Sequence, residues 1–446
     1  MPSAAGPVRS IGAFAIVLLA GGAYAQDAGT LQLTLEEAQA RAIDTSHRLA
    51  EGRARERTAQ AVVDSREAAD RPVVSAQAGY QRTNHVPEFA LPSPAATGGR
   101  LVVYPDVPNN FRSRIDLQWP IFNGGRTDAL TRAARADAAA VTAETDTARA
   151  DLRLEVARAF WAVVTAKAAV SVLERGVARA QAHVVDVRER LNAGLISPNE
   201  LASAEAQESR ERMLLIEARS QRDIASSDLG RLVIDDPLRT VEPSAALEAG
   251  VSTAPDASGA VAIALESRPE RTGLERRIDA AGELRTAAAA GRLPMISVTG
   301  GYDVARPNPR IFPRTELWND SWDAAINLTW SLWDGGRVDA EVAQAASQAE
   351  AARERLKEFD SQLTVEVRQR LLEIDSGRAA VSAADDAVRA ATEAQRVVTE
   401  RYRAGVITQI EVLDAEFALL QAELDRTRAL AGVRLAEARL ARAMGR

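Results

Sequence analysis

The chain of 446 residues contains no cysteine and only three histidines. Disulfide bonds, thiolate metal sites and attachment of lipid through cysteine are therefore excluded. The histidines lack the spacing of metal ligands, so we expect no metal site; they are His47, His85 and His183. No nucleotide-binding glycine loop and no nucleophile paired with a base stands out, so we expect neither a cofactor nor an enzyme. The net charge of −7 gives no support to nucleic-acid binding.

Long apolar runs are also scarce. The clearest one follows Arg9, covers Ile11 to Ala20, and is followed by a small-x-small cleavage site just before Gln26. This pattern is typical of a secretory signal peptide at residues 1–25. The alternative, a membrane anchor, is disfavoured because the run is shorter than the ~20 residues that a spanning helix needs. The best later run, Ala159 to Leu173, is interrupted by polar residues and is predicted to be the buried part of a helix.

One stretch of the sequence occurs twice, as IDLQWPIFNGGR at Ile115–Arg126 and as INLTWSLWDGGR at Ile326–Arg337. In each copy apolar residues alternate with polar ones, which predicts a strand with one apolar face. Asparagine or aspartate and two glycines then precede a long alanine-rich run without proline, so each strand is expected to turn directly into a helix. The turn residues are Gly124, Gly125, Arg126, Gly335, Gly336 and Arg337.

The similarity extends without a gap over more than a hundred residues at an offset of 211, so that Glu155 aligns with Glu366. Upstream of the strands the offset becomes 222, and Pro72 aligns with Pro294. Internal duplication of this kind predicts two structural repeats, each with the order helix, strand, loop, strand, long helix, turn, helix. The repeats cover 34–232 and 260–446 and are joined by a linker at 233–259, most clearly from Asp235 to Gly259.

The predicted helices are long. They cover Thr34 to about Asp70, Thr127–Leu191, Asn199–Leu232, Ala260–Gly291, Val338–Arg403 and about Ile410 to the end. The second of these would be about 100 Å long at 1.5 Å per residue, so it must pair with other helices along its length. Apolar stripes at helical spacing support this pairing; they are Leu152, Val156, Phe160 and Val163, and Leu363, Val367, Leu371 and Ile374.

Strands are predicted at about 72–83, 112–122, 294–305 and 322–333. The segment from Asn84 to Asn110 contains five prolines and no periodicity, and it is predicted to be an irregular loop. Strands of about ten residues with one apolar face can cross a bilayer when tilted.

A sheet in lipid cannot leave an open edge, and the smallest membrane barrels have about eight strands, so four strands predict at least a dimer. The polar side chains expected to face the lumen are Ser75, Gln77, Asp116, Gln118, Ser297, Thr299, Asn327 and Thr329. Tryptophans in or beside the strands are typical of interfacial girdles, and the alternative is the core of a soluble sheet. They are Trp119, Trp318, Trp322, Trp330 and Trp333.

The two strand-to-turn segments and the matching segments Arg190–Leu201 and Arg401–Glu416 closely resemble the TolC-type outer-membrane efflux proteins. The resemblance covers essentially the whole chain after the signal peptide. It implies an α+β membrane protein whose duplicated helix-strand-strand-helical hairpin repeats form a trimeric 12-stranded outer-membrane β-barrel, continuous with a long periplasmic α-helical barrel. The linker resembles part of the belt around that tunnel. The implied location is the outer membrane of a Gram-negative bacterium, with most of the chain in the periplasm.

The resemblance also implies partners and site residues. The partners are two further copies of the chain in a homotrimer, outer-membrane lipid, a periplasmic adaptor protein and an inner-membrane transporter. The hairpin tips resemble adaptor-docking sites, although a helix-hairpin turn closed by glycine is the alternative. These tip residues are Gly194, Leu195, Ile196, Ser197, Gly405, Val406, Ile407 and Thr408.

Four further residues match a periplasmic gate. Glu411 and Asp414 resemble an acidic ring, whereas their spacing alone favours solvated helix charges. Tyr402 and Glu200 match the positions of an inter-helix hydrogen bond that holds the entrance closed. At two positions the chain departs from the family's gate pattern. Ile407 stands where some members carry a basic residue, and Ser203 in the first repeat replaces the acid found at Asp414. These departures predict a weaker gate.

The sequence thus predicts a passive outer-membrane exit duct of a tripartite efflux pump that exports drugs or other small molecules. Two alternatives remain open. One is the outer-membrane channel of a type I protein secretion system. The other is a soluble periplasmic coiled-coil adaptor, against which the four amphipathic strands argue.

Overall fold

The computed structural model describes residues 31–94, 99–234, 241–248 and 256–446. The predicted signal peptide and parts of the linker lie outside these residues. The helices are α1 (Leu35–Thr45), α2 (His47–Ala68), α3 (Arg126–Asn192), α4 (Pro198–Val233), α5 (Ala257–Ser267), α6 (Pro269–Ala289), α7 (Arg337–Arg403) and α8 (Gln409–Ala443). The strands are β1 (Leu31–Leu33), β2 (Val73–Arg82), β3 (Phe89–Pro92), β4 (Arg100–Tyr104), β5 (Asn109–Phe122), β6 (Val241–Pro243), β7 (Met295–Arg306) and β8 (Asn319–Thr329).

The element bounds repeat at the offsets seen in the sequence. Helices α3 and α7 both contain 67 residues, and both ends of α7 lie 211 positions after those of α3. Helices α1 and α5 both contain 11 residues and are separated by 222 positions. Equivalent stretches of chain therefore form equivalent helices.

The long helices pack against one another in antiparallel hairpins, α3 with α4 and α7 with α8, and α3 also packs against α8. The two apolar stripes predicted from helical spacing are confirmed as core. Phe160 and Val163 are fully buried in one cluster, and their equivalents Leu371 and Ile374 lie in another. Within the described residues α3 holds the one stretch long and apolar enough to cross a membrane, and 44% of that stretch is buried inside the molecule.

A four-stranded antiparallel sheet has the order β2-β5-β7-β8. Three of its strands fall within a few residues of their predicted bounds. The prediction that the last strand continues to residue 333 is wrong, because pairing ends where Met295 meets Thr329. The residue before Met295 is Pro294, which has no N–H to continue the ladder.

The structure also differs from the predictions in two short pairs of strands and in two helices that are interrupted. The segment predicted to be an irregular loop contains the hairpin β3–β4, and β1 pairs with β6 in parallel. The predicted first helix is two helices, because the Ser46 hydroxyl accepts a hydrogen bond from the Leu49 N–H (3.3 Å) and starts α2. The predicted helix from Ala260 is also divided, since Pro269 occupies the first turn of α6.

Candidate functional site

The two faces of the four-stranded sheet differ in chemistry and in exposure. By register, all eight side chains predicted to face a lumen lie on the same, polar face. The opposite face is apolar and exposed: Ile326 is 78 % accessible, and Leu328, Trp322 and Ile115 are also exposed. A water-soluble sheet buries its apolar face, so this arrangement is the one expected of a sheet in contact with lipid.

Aromatic side chains lie at both ends of the apolar face. At the end far from the long helices, the ring of Tyr80 lies 4.9 Å from that of Phe111, which lies 5.9 Å from Trp318. At the helix end, the Trp119 indole N–H donates to the Asp70 carbonyl oxygen (3.2 Å). The equivalent Trp330 donates to the Arg292 carbonyl oxygen (3.1 Å). Aromatic residues that flank an apolar band on both sides are typical of membrane interfaces.

An ionic network on the polar face was not predicted from the sequence. Arg114 lies at its centre, with its Nε donating to Asp116 (2.6 Å) and its guanidinium 3.0 Å from Asp323. Asp303 is only 2 % accessible and accepts a hydrogen bond from Arg112 (2.8 Å). A Cβ on Gly301 would lie 2.1 Å from an Arg114 nitrogen, so the glycine leaves the space that the guanidinium occupies.

Each strand-to-helix turn uses two glycines with positive φ, Gly124 and Gly125 in the first repeat and Gly335 and Gly336 in the second. In the second repeat, the Asp334 carboxylate accepts hydrogen bonds from two N–H groups at the start of α7 (both 2.9 Å). Helices α3 and α7 begin at the predicted turn residues Arg126 and Arg337. The first turn therefore joins β5 to α3 directly. In the second repeat residues 330–336 separate β8 from α7, so the predicted direct passage from strand to helix is wrong there.

The two hairpin tips have the same backbone geometry. Gly194 and Gly405 both adopt φ 71°, and the same pattern of backbone hydrogen bonds closes the helix around each glycine. Leu195 is 74 % accessible, and Val406 is also largely exposed. The tips thus present apolar side chains at the end of the molecule farthest from the sheet.

A groove of about 1020 Å³ lies between the tips. Of the predicted gate and docking residues, it brings together Glu200, Tyr402, Asp414, Leu195, Ile196, Gly405, Ile407 and Thr408. Gly194, Ser197, Val406 and Glu411 are outside its lining. Both departures noted above, Ser203 and Ile407, do line it.

The hydrogen bond expected between Tyr402 and Glu200 is not formed in this chain. The Tyr402 hydroxyl is buried and has no hydrogen-bond partner among the described residues. Burial raises the pKa of Tyr402 above its ordinary value. The ring is instead covered by the guanidinium of Arg190, which also donates to the Tyr402 carbonyl oxygen (3.3 Å).

A second link between the tips was also not predicted from the sequence. The Gln409 amide donates to the Glu200 carbonyl oxygen (2.9 Å). Because this bond joins a side chain to a backbone atom 209 residues away, no local pattern could have indicated it.

Two buried carboxylates lie behind the groove. Glu211 in α4 accepts a hydrogen bond from Gln207 (3.1 Å), and one oxygen of Glu416 in α8 has no partner among the described residues. Burial, followed by the charge of Glu211, raises the pKa of Glu416 to about 7. Burial also raises the pKa of Glu211. No group of three or more histidine or acidic side chains in the described residues is arranged to hold a metal ion.

Comparison with known proteins gives one family and several structures. The sequence profile of the family described as outer membrane efflux protein matches residues 39–233 and 260–446. The fold is similar to that of the CmeC outer membrane channel from Campylobacter jejuni, with a TM-score of 0.75, 17% identity and coverage of 92% of this chain and 85% of that one. None of the curated proteins compared matches the chain.

Two further solved structures have similar folds. The VceC outer membrane protein from Vibrio cholerae gives a TM-score of 0.74 at 19% identity and covers 92% of this chain and 96% of its own. The open state of the MtrE outer membrane channel from Neisseria gonorrhoeae gives a TM-score of 0.74 at 20% identity, covering 92% and 88%.

Proposed function

Because this chain belongs to the outer membrane efflux protein family, we propose that it is the passive exit duct of a tripartite efflux pump. Proteins of this family are outer-membrane channels of Gram-negative bacteria and not enzymes. The proposed cargo is drugs or other small molecules. The energy for transport then comes from a transporter in the inner membrane, because a passive duct supplies none.

The main support for this proposal is the distribution of polar and apolar side chains on the four-stranded sheet. Its apolar face is exposed, while ion pairs and amides occupy the other face. Side chains such as Ile326 are stable in that position only if lipid covers them. The sheet is joined through the glycine turns to helices of 67 residues, which extend about 100 Å at 1.5 Å per residue. That length suits a tunnel across the periplasm.

The assembly follows from the sheet's two edges. Within the described residues of one chain, β2 and β8 each pair on one side only. Their free backbone groups would be costly in lipid, so β8 of one copy is expected to pair with β2 of the next. Such a head-to-tail contact closes into a ring when the rotation from one copy to the next divides a full turn. Three copies of this four-stranded sheet make the twelve-stranded barrel that we propose.

We assign the tip groove to the periplasmic entrance. Leu195 and Val406 supply exposed apolar surface for a periplasmic adaptor protein. Glu411 and Asp414 are exposed on one face of α8, and three copies of them around one axis would favour cations. Opening requires that the adaptor bind the open entrance more tightly than the closed one.

The test is conductance of the purified protein in a planar bilayer, together with its mass in detergent. We expect a trimer with a small, cation-selective conductance. A monomer that forms no pore would contradict both the barrel and the duct. Protein secretion by a type I system requires the same duct, and the family's description as efflux proteins favours small molecules. A soluble adaptor is not compatible with membership of this family.

A further inference from the structure

The segment between β7 and β8, residues 307–318, folds back onto the polar face of the sheet. Arg310 donates to the Asp323 carboxylate (2.8 Å) and to the Trp322 carbonyl oxygen (2.8 Å). Asp323 lies four residues inside β8, so the loop reaches roughly 13 Å along the strand at 3.3 Å per residue. A loop that pointed away from the sheet could not make these contacts.

A second anchor lies beside the first. Asn308 is 1 % accessible, and its amide donates to the Asn319 carbonyl oxygen (3.0 Å) and to the Ser321 hydroxyl (3.1 Å). Ser321 pairs with Asp303 in the sheet, so both side chains lie on the polar face. The burial of Asp303 and Ala305 on this face agrees with a loop lying over them.

The anchored loop lies directly over the ionic network. Asp323 binds Arg310 of the loop and Arg114 of β5 with the same carboxylate. The network and the loop anchor together bring three cationic and three acidic side chains into contact, so their formal charges balance. They are Arg112, Arg114, Arg310, Asp116, Asp303 and Asp323. A charge-balanced set gives little preference for ions of either sign, in contrast to an acidic ring.

We propose that this loop, held by Arg310 and Asn308, forms a second constriction of the duct, at its outer end, and that it limits passage by size rather than by charge. The proposal rests on the duct proposed above, because the polar face must line the lumen. Three infolded loops, one from each copy, would then narrow the mouth. The constriction would exclude bulky solutes that approach from outside the cell.

The absence of cysteine allows a direct test in intact cells, because each introduced thiol is the only one in the chain. Ser297→Cys places a thiol on the polar face, four residues from Gly301 toward the helices and therefore beneath the loop. Two water-soluble reagents are compared: a small methanethiosulfonate, and a maleimide carrying a long polyethylene glycol chain. Leu317→Cys, on the exposed part of the loop, and Ile326→Cys, on the apolar face, are the controls.

In the otherwise unchanged protein, we expect the small reagent to label Ser297→Cys and the large one to label it slowly. Arg310→Ala removes two hydrogen bonds of a charged group, and the large reagent should then react about tenfold faster. Arg310→Lys keeps the charge but not the forked contact, so an intermediate rate is expected. Asn308→Ala provides an independent release of the loop, and detergent mass confirms that each variant still assembles.

The outcomes separate the two proposals. Equal rates for the large reagent with and without Arg310→Ala, while the small reagent reacts, would overturn the outer constriction and leave the duct intact. Failure of both reagents at Ser297→Cys even when Arg310→Ala releases the loop, while Leu317→Cys reacts, would show that the polar face does not line an open lumen. Labelling of Ile326→Cys as fast as Ser297→Cys would have the same meaning.

Discussion

The guanidinium of Arg190 lies 4.5 Å from the ring centroid of Tyr402 and joins the tips of the two hairpins. Arg190 is near the end of α3 and Tyr402 near the end of α7, so the contact links the two repeats. The His183 ring lies 5.8 Å from the same tyrosine ring. Burial lowers the pKa of His183 below its ordinary value and so disfavours a positive charge beside the tyrosine ring. Among the described residues, the tyrosine therefore makes this contact through its ring and not through its hydroxyl.

This contact predicts different effects for two changes at one position. Tyr402→Phe keeps the ring and removes a hydroxyl without a partner in the described part of the chain, so the closed-state conductance should not change. Tyr402→Ala and Arg190→Ala each remove a cation–π contact worth about 1 kcal/mol and should raise it. Single-channel recording tests this. A leak in Tyr402→Phe as large as that in Arg190→Ala would instead assign the closing role to the hydroxyl.

The acidic side chains of α8 give a second prediction. Glu411→Ala combined with Asp414→Ala should raise the leak and lower the cation preference several-fold, because six carboxylates are lost from a trimer. Ser203 occupies the position equivalent to Asp414 in the first repeat, so Ser203→Asp should increase the cation preference. Reversal potentials in a salt gradient measure both effects. Unchanged conductance and ion preference in the double variant would contradict the assignment of these residues to a gate.

Buried Glu416 predicts a dependence of stability on pH. Its pKa is raised from 4.5 to about 7 in the folded chain, so between these values the folded state binds more protons than the unfolded state. The contribution of Glu416 to stability is therefore greatest below pH 4.5 and falls as pH rises through this window. Glu416→Gln keeps the neutral form at every pH. It should stabilise the protein by on the order of 2–3 kcal/mol at pH 8 and much less at pH 5.

Thermal unfolding of the trimer at both pH values measures this difference. The matched control is Glu205→Gln, at the equivalent position of the first repeat. Glu205 is exposed and pairs with Arg188 (2.8 Å), an arrangement that contributes little to stability. The same pH-dependent gain in Glu205→Gln would contradict a specific role for the buried carboxyl group.

Most of the fold was predicted from hydrophobic periodicity and from the internal similarity of the sequence. The alternation around Trp119 and Trp330 predicted which side chains share a face, because successive residues of a strand point to opposite sides whatever the partner strand is. The ends of α3 and α7 were predicted within two residues, because a glycine pair precedes each helix and a single glycine follows it. These signals are local, and the duplication supplied each of them twice.

Contacts between distant segments were not predictable in the same way. The bond between Arg310 and Asp323 depends on how a loop folds over a sheet, and neither residue stands in a distinctive pattern. The hairpin β3–β4 was missed because prolines obscured its alternation. Arg114 lies on the predicted polar face, yet its partner Asp323 is 209 residues away. Only the sheet register brings such residues together.

The strand-to-helix turns provide the last prediction, because the two repeats differ in their surroundings. Gly124 and Gly335 adopt nearly the same positive φ, 66° and 69°, so replacing either by alanine costs about 1–2 kcal/mol in the backbone. A Cβ at Gly124 would also lie 2.8 Å from the Leu293 Cβ, whereas the space around Gly335 is open. Gly124→Ala should therefore lower the unfolding temperature more than Gly335→Ala. Gly335→Asn should cost least, since asparagine tolerates this conformation. Equal losses for the two alanine variants would mean that the contact with Leu293 relaxes without cost.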